Sequence, residues 1–150
     1  DVATIGTDDA QLYDNNKGFY TEFQQLVYRE QNSVDQGLSV LGQFSWAPSN
    51  RNEIARYYGA GFSYKGLFEN RDDDILGMGL ALADLSPRYK DNEGLQNEAA
   101  IELFYKVQIS DSVALQPDFQ IILNTGGSRK TSFAVGLRSI ISLAPREESI

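Results

Sequence analysis

No cysteine and no histidine occur among the 150 residues. That absence excludes disulfides, thiol chemistry, imidazole metal ligands and every catalytic triad built on an imidazole base. Most ordinary enzyme readings lose their principal group at once. Basic residues are also scarce, 13 against 21 acidic ones, for a formal net charge of -8. With so little Lys and Arg to neutralise phosphates, the composition argues against a nucleic-acid partner. Long apolar runs are missing too: no stretch approaches the roughly 20 consecutive apolar residues of a membrane-spanning helix, and the mean hydropathy is mildly negative. This excludes a helical span only. A membrane β-strand shows one apolar face to lipid, so its signal lies in alternation and not in the mean. An initiator Met and a signal peptide are absent as well, which makes a processed or truncated chain the expectation.

What is present is period-two alternation in one segment after another, the mark of strands whose two faces meet different surroundings. In residues 97–110, Ala99, Ile101, Leu103, Tyr105, Val107 and Ile109 alternate with Glu98, Glu102, Lys106 and Gln108. In residues 112–124, Val113, Leu115, Pro117, Phe119, Ile121 and Leu123 oppose Ser112, Gln116, Asp118, Gln120 and Asn124, with Ile122 as the exception. Residues 130–143 set Phe133, Val135, Leu137, Ile141 and Leu143 against Ser132, Ala134, Gly136, Arg138 and Ser142, and Ile140 breaks the polar set. Upstream, Leu38, Val40, Phe44 and Trp46 alternate with Ser39, Gln43 and Ser45. Ile54, Tyr58, Phe62 and Tyr64 alternate with Gly59, Gly61, Ser63 and Lys65. Leu76, Met78, Leu80 and Leu82 alternate with Gly77, Gly79, Ala81 and Ala83, where the second face is small and uncharged. A seventh segment, residues 18–28, sets Phe19, Phe23 and Val27 against Glu22 and Gln24, although Leu26 and Tyr28 blur it.

The intervals are rich in Asn, Asp, Gly, Ser and Pro, as turns require, and none carries a 3.6-residue apolar stripe. No crossover helix is therefore available, every connection reads as a hairpin, and the strands pair antiparallel in sequence order. Three features favour a membrane barrel over a soluble β-sandwich. The strands are long, matching the about 9 to 11 residues of a tilted membrane strand and exceeding the about five or six of a soluble one. Aromatics sit near segment ends, at Tyr20, Trp46, Tyr57, Tyr58, Tyr64, Tyr105 and Phe133, where interfacial girdles would place them. The polar face also carries opposed charges, as a water-filled lumen allows. The fold class is thus all-β, an antiparallel up-and-down transmembrane β-barrel. Seven strands cannot close a bacterial barrel of even strand number, and hydrocarbon forbids an open edge. Either residues 1–16 add an eighth strand to a small barrel, or the chain is a portion of a larger one.

Six stretches, in order and spacing, carry a resemblance that periodicity cannot supply: GFYTEFQQLVYRE, GLSVLGQFSWAP, GAGFSYKGLFENRDDDILGMGLALADLS, NEAAIELFYKVQIS, LQPDFQIILNTGG and FAVGLRSIISL. Together they resemble the C-terminal half of the carbohydrate-selective porin family, the OprB-like proteins. Thr125 stands where the family usually has Pro before the Gly pair, and Asp72 where Pro is common after Arg71. The resemblance implies a barrel of about sixteen strands in the outer membrane of a Gram-negative bacterium that passes small sugars by passive diffusion. On that basis residues 17–143 form the C-terminal portion of a porin barrel, residues 1–16 a lead-in or part of an earlier strand, and residues 144–150 a tail. Its partners would be the lipid bilayer and lipopolysaccharide, small sugars and the rest of the barrel, with a homo-oligomer left open. No cofactor, metal or catalysis is implied.

Glu98, Glu102 and Lys106 follow one another four apart on one strand and share a face; with Gln108, Gln116, Asp118, Gln120 and Arg138 they form the candidate pore-lining, sugar-contacting set. The competing reading is that these charges pair across strands and stiffen the wall. Glu98 and Glu102 also invite a glycosidase reading, but no desolvated pocket is identified to raise one carboxyl. The Arg71 to Asp74 run suits an acidic turn better than a cation site. Two further alternatives stay open: a soluble β-sheet ligand-binding protein and an outer-membrane enzyme barrel.

Overall fold

The computed structural model describes residues 14–31 and 33–143. Seven strands follow one another: β1 (Phe19–Arg29), β2 (Gly37–Trp46), β3 (Ile54–Lys65), β4 (Ile75–Leu85), β5 (Glu98–Ser110), β6 (Val113–Leu123) and β7 (Ser132–Ile141). They form one sheet in the order β1-β2-β3-β4-β5-β6-β7, every neighbouring pair antiparallel. Strands of 10 to 13 residues in a simple meander are what the alternation and the lack of crossover helices predict. The sheet is not closed, so β1 and β7 are edges. The seven segments expected from alternation are the seven strands observed, each within about two residues at its ends.

Where the alternation falters, the backbone explains why. Pairing of β1 with β2 slips between Leu26 and Tyr28, so Val27 is the extra residue of a bulge. The bulge returns Tyr28 to the face of Leu38 and Tyr64, and the rings of Tyr28 and Tyr64 lie 6.4 Å apart. A second bulge falls between Ile54 and Arg56, and a third between Gln108 and Ser110, next to the two-residue turn at Asp111 and Ser112.

One hairpin connection holds more than a turn, although its strands pair antiparallel as expected. Between β4 and β5 lies a short helix, α1 (Pro87–Glu93). Ser86 caps it, its Oγ accepting the Tyr89 amide at 3.3 Å. Pro87 occupies the first turn, where a missing N–H costs nothing, and Gly94 ends the helix at φ 64°. No apolar stripe was available to announce it, because α1 is held by its caps and not by an apolar face. Ser86 is fully buried and its amide donates to the Glu53 carbonyl at 2.7 Å, while the Gln96 amide reaches the Gly127 carbonyl at 2.7 Å. The connections 47–53, 86–97 and 124–131 thus dock on one another at one end of the sheet.

Nothing covers either face of the sheet among the described residues. The only apolar side chains buried there are Ala55, Leu85 and Ala114. Phe23, Trp46, Phe62, Leu80, Leu103, Phe119, Val135 and Leu137 stand exposed, Val135 by 83%. No helix is long and apolar enough to cross a membrane, which says nothing of crossing with strands.

Candidate functional site

Cross-strand partners share a face, so the register sorts every side chain. One face is apolar in each strand: Phe23, Val40, Phe62, Met78, Leu103, Phe119 and Val135 follow one another or their diagonal neighbours around the sheet. Ile101, Val107, Leu115, Ile121 and Leu137 belong to the same face. Of the aromatics assigned to girdles, Trp46, Tyr58, Tyr64, Tyr105 and Phe133 lie here, with Phe44 and Tyr58 directly opposed at 5.3 Å. Tyr20 and Tyr57 do not. They pair with Ser45 and lie on the other face.

That other face is polar and small, and rows of partners run across it. One row reads Gln24, Leu41, Gly61, Gly79, Glu102, Gln120 and Ala134. The next, toward the 66–74 turn, reads Leu26, Ser39, Ser63, Gly77, Phe104, Asp118 and Gly136. All eight residues singled out from the sequence fall on this face, but they do not form one cluster. Glu102, Asp118 and Gln120 are joined: the Gln120 amide nitrogen donates to Glu102 Oε2 at 3.2 Å and to Asp118 Oδ1 at 3.4 Å. Gln116, 7% exposed, pairs in register with Arg138. Lys106 lies opposite Ile75. Glu98 turns to the 124–131 connection and accepts the Gly126 amide. Gln108 serves the strand end, its side-chain nitrogen donating to the Ser110 carbonyl at 2.6 Å.

Glycines shape the middle of this face. A Cβ on Gly77 would lie 2.3 Å from the Phe104 ring, and a Cβ on Gly136 2.4 Å from Asp118 Oδ2, so both partners lie flat across a bare backbone. Gly77→Ala is expected to cost about 1 to 3 kcal/mol by overpacking. In the Phe104→Leu background the cost should shrink, and a double-mutant cycle in denaturant that came out additive would contradict this packing. Around Gly61 and Gly79 the wall is hollowed. A recess of about 350 Å³ is lined by Gln24, Ser39, Leu41, Gly61, Ser63, Gly79, Glu102 and Phe104. A second of about 200 Å³ adjoins it, lined by Gln43, Tyr57, Gly59, Ala81, Ala100 and Gln120 as well as Leu41, Gly79 and Glu102. Gln24, Gln43, Tyr57 and Phe104 were missing from the sequence-derived set. Strand parity already placed Gln24 and Gln43 on the polar face, but only the register brings them to the recesses.

At the end of the sheet opposite α1, a polar clasp fixes the 66–74 turn. Asp74, 3% exposed, accepts from Arg71 Nε at 2.7 Å, Arg71 Nη2 at 2.9 Å, the Tyr105 hydroxyl at 2.5 Å and the Gln108 amide at 2.8 Å. The ladder between β4 and β5 ends at Ile75 and Lys106, so this carboxylate takes the place of the next strand residue for Gln108. Burial alone would push the carboxyl up; the Tyr105, Gln108 and Arg71 donors outweigh it and hold Asp74 below the usual carboxylate range. The run is therefore a built turn. No group of three or more acidic side chains placed to hold a metal ion occurs among the described residues. The neighbouring 30–36 turn is tied on by Lys65, which bridges Asp35 and Asp73, and by Gln36, whose amide donates to the Asp72 carbonyl.

Comparison with known proteins gives concordant matches. The model of the carbohydrate-selective porin, OprB family, matches residues 3–143. Porin B of Pseudomonas aeruginosa is 26% identical over 73% of this chain and 28% of its own length. Among solved structures, a high-pH structure of Pseudomonas putida OprB superposes with a TM-score of 0.74 at 23% identity, covering 83% of this chain and 34% of that one. The chain thus spans about a third or less of the length of these relatives.

Proposed function

The chain belongs to the carbohydrate-selective porin family, OprB, and from that premise we propose that it is a stretch of wall in an outer-membrane channel through which small sugars diffuse passively. The observation that carries this reading is the two-faced single sheet. Every strand offers an apolar face that no other layer covers among the described residues, backed by a face of amides, charges and glycines. In water such a face would require a second layer; in a bilayer lipid takes that place. The apolar face is then outward, against acyl chains and lipopolysaccharide, and Glu102, Lys106, Gln116, Asp118, Gln120 and Arg138 look into water. The edges β1 and β7 pair with strands of the same protein outside this chain, since an unpaired edge has no partner in hydrocarbon.

A closing strand that ends on the periplasmic side puts the connections 30–36, 66–74 and 111–112 there, and 47–53, 86–97 and 124–131 outside. Short inner turns are the usual rule. Here the inner 66–74 segment is longer than the outer 47–53, and the Asp74 clasp accounts for how so long a turn stays ordered. The wall holds amide and carboxylate groups for sugar hydroxyls.

Liposomes containing the intact protein should swell in isotonic glucose faster than in an amino acid of equal size. Absence of sugar-dependent swelling would refute the transport reading. A protein that stayed monodisperse without detergent would point instead to a soluble β-sheet binding protein.

A further inference from the structure

The bridge between Glu102, Gln120 and Asp118 has a polarity of its own. Both carboxylates are acceptors only when ionised, and they flank one side-chain amide. That neighbourhood fixes the amide orientation, because turning the Gln120 carbonyl toward two carboxylates would set oxygen against oxygen. Its nitrogen is therefore occupied at 3.2 Å and 3.4 Å, and its carbonyl oxygen is left as a further acceptor. Glu102 lines both recesses over Gly79, and Gln120 lines the second. Asp118 lies across the bare backbone of Gly136, beside the recesses. Of the cations on this face, Lys106 is four residues along β5 from Glu102, Arg138 is opposite Gln116 and so diagonal to Asp118, and Lys65 is engaged by Asp35 and Asp73.

Building on the porin reading, we infer that Glu102, Gln120 and Asp118 are specificity-determining residues: they present an acceptor-only, negative wall that favours neutral and cationic sugars and disfavours anionic ones. A hydroxyl donates to such a wall and a protonated amino sugar gains a charge-assisted bond, whereas a sugar acid meets like charge. Screening limits the reach to about one Debye length, about 8 to 10 Å, so the effect is local to the recesses.

The test uses the intact protein in planar bilayers under a salt gradient, and in liposomes swelling in glucose, glucosamine at mildly acid pH, or gluconate. Glucose is the internal reference. With Glu102→Gln and Asp118→Asn together, the cation-to-anion permeability ratio should fall about two- to fourfold, and gluconate flux relative to glucose should rise by a similar factor. Should that pair fail to fold, Glu102→Gln alone gives the same direction at smaller size. Gln120→Glu should move the ratio the opposite way. Glu22→Gln, a carboxylate on the same face of β1 away from the bridge, should move it less. An unchanged ratio in the bridge variants, or an equal shift from Glu22→Gln, overturns the inference. A wild-type protein that forms no channel refutes the porin reading itself.

Discussion

Replacing Asp74 with alanine is expected to destabilise the folded protein by about 3 to 4 kcal/mol at neutral pH. A buried carboxylate would be lost together with bonds from Tyr105, Gln108 and Arg71, each hydrogen bond to a charged group being worth about 1.5 to 3 kcal/mol and the set less than additive. Arg71 is well exposed and can be rehydrated; the Gln108 amide at the strand end loses the Asp74 oxygen that accepts it. Asp74→Asn keeps the shape but not the charge and should recover part of the loss. The pH dependence follows from the direction of the shift. Folding holds Asp74 below the ordinary carboxylate range, so its contribution is complete above about pH 4, where the carboxyl is ionised in the unfolded chain too. It then falls away as the pH drops through the depressed folded value. Denaturant unfolding of wild type and Asp74→Asn, in detergent or vesicles, should show a stability gap at pH 7 that closes in strong acid. A gap of constant size would mean that shape, not charge, is what Asp74 supplies.

Leu103→Arg is expected to cost about 2 to 4 kcal/mol if that position lies near the bilayer midplane. Leu103 stands 50% exposed on the apolar face, between Met78 and Phe119. Gln120→Arg, one strand away and on the opposite face, should fold normally and change conductance or selectivity. The comparison needs only folding yield and stability in lipid vesicles. Were Gln120→Arg to abolish folding while Leu103→Arg was tolerated, the two faces would be assigned inside out, and a soluble sandwich with a packed interior would be the better description.

The strands were legible because a sheet whose two faces differ imposes a strict two-residue period, and Ile101, Leu103 and Val107 report it as plainly as any sequence can. Tyr28 was not placed, since a bulge resets parity and leaves no residue type that marks it. The short helix leaves a fainter mark: its caps, Ser86 with Pro87 and then Gly94, are in the sequence, but a two-turn surface helix needs no apolar stripe to set it apart from a turn. For the candidate site, the face of each residue was readable and the cluster was not. Glu102 and Gln120 are 18 residues apart, and only the exact pairing of β5 with β6 makes them neighbours rather than two polar residues on adjacent strands. The Asp74 clasp was hidden in the same way: an Arg followed by three Asp reads as a solvated turn, and only the overhang of β5 beyond β4 turns its last carboxylate inward.

The meander has a consequence for how such a wall can change over time. Each strand bonds only to its neighbours in the chain, so a hairpin can be duplicated or deleted without any other segment being re-threaded. The cost of such an event is confined to the two seams it creates, much as in a repeat array. What it alters is circumference, because barrel width grows roughly in step with strand number. In the proposed channel, pore size is in this sense a countable trait, set by how many hairpins are strung together, whereas the chemistry of the wall is tuned one side chain at a time.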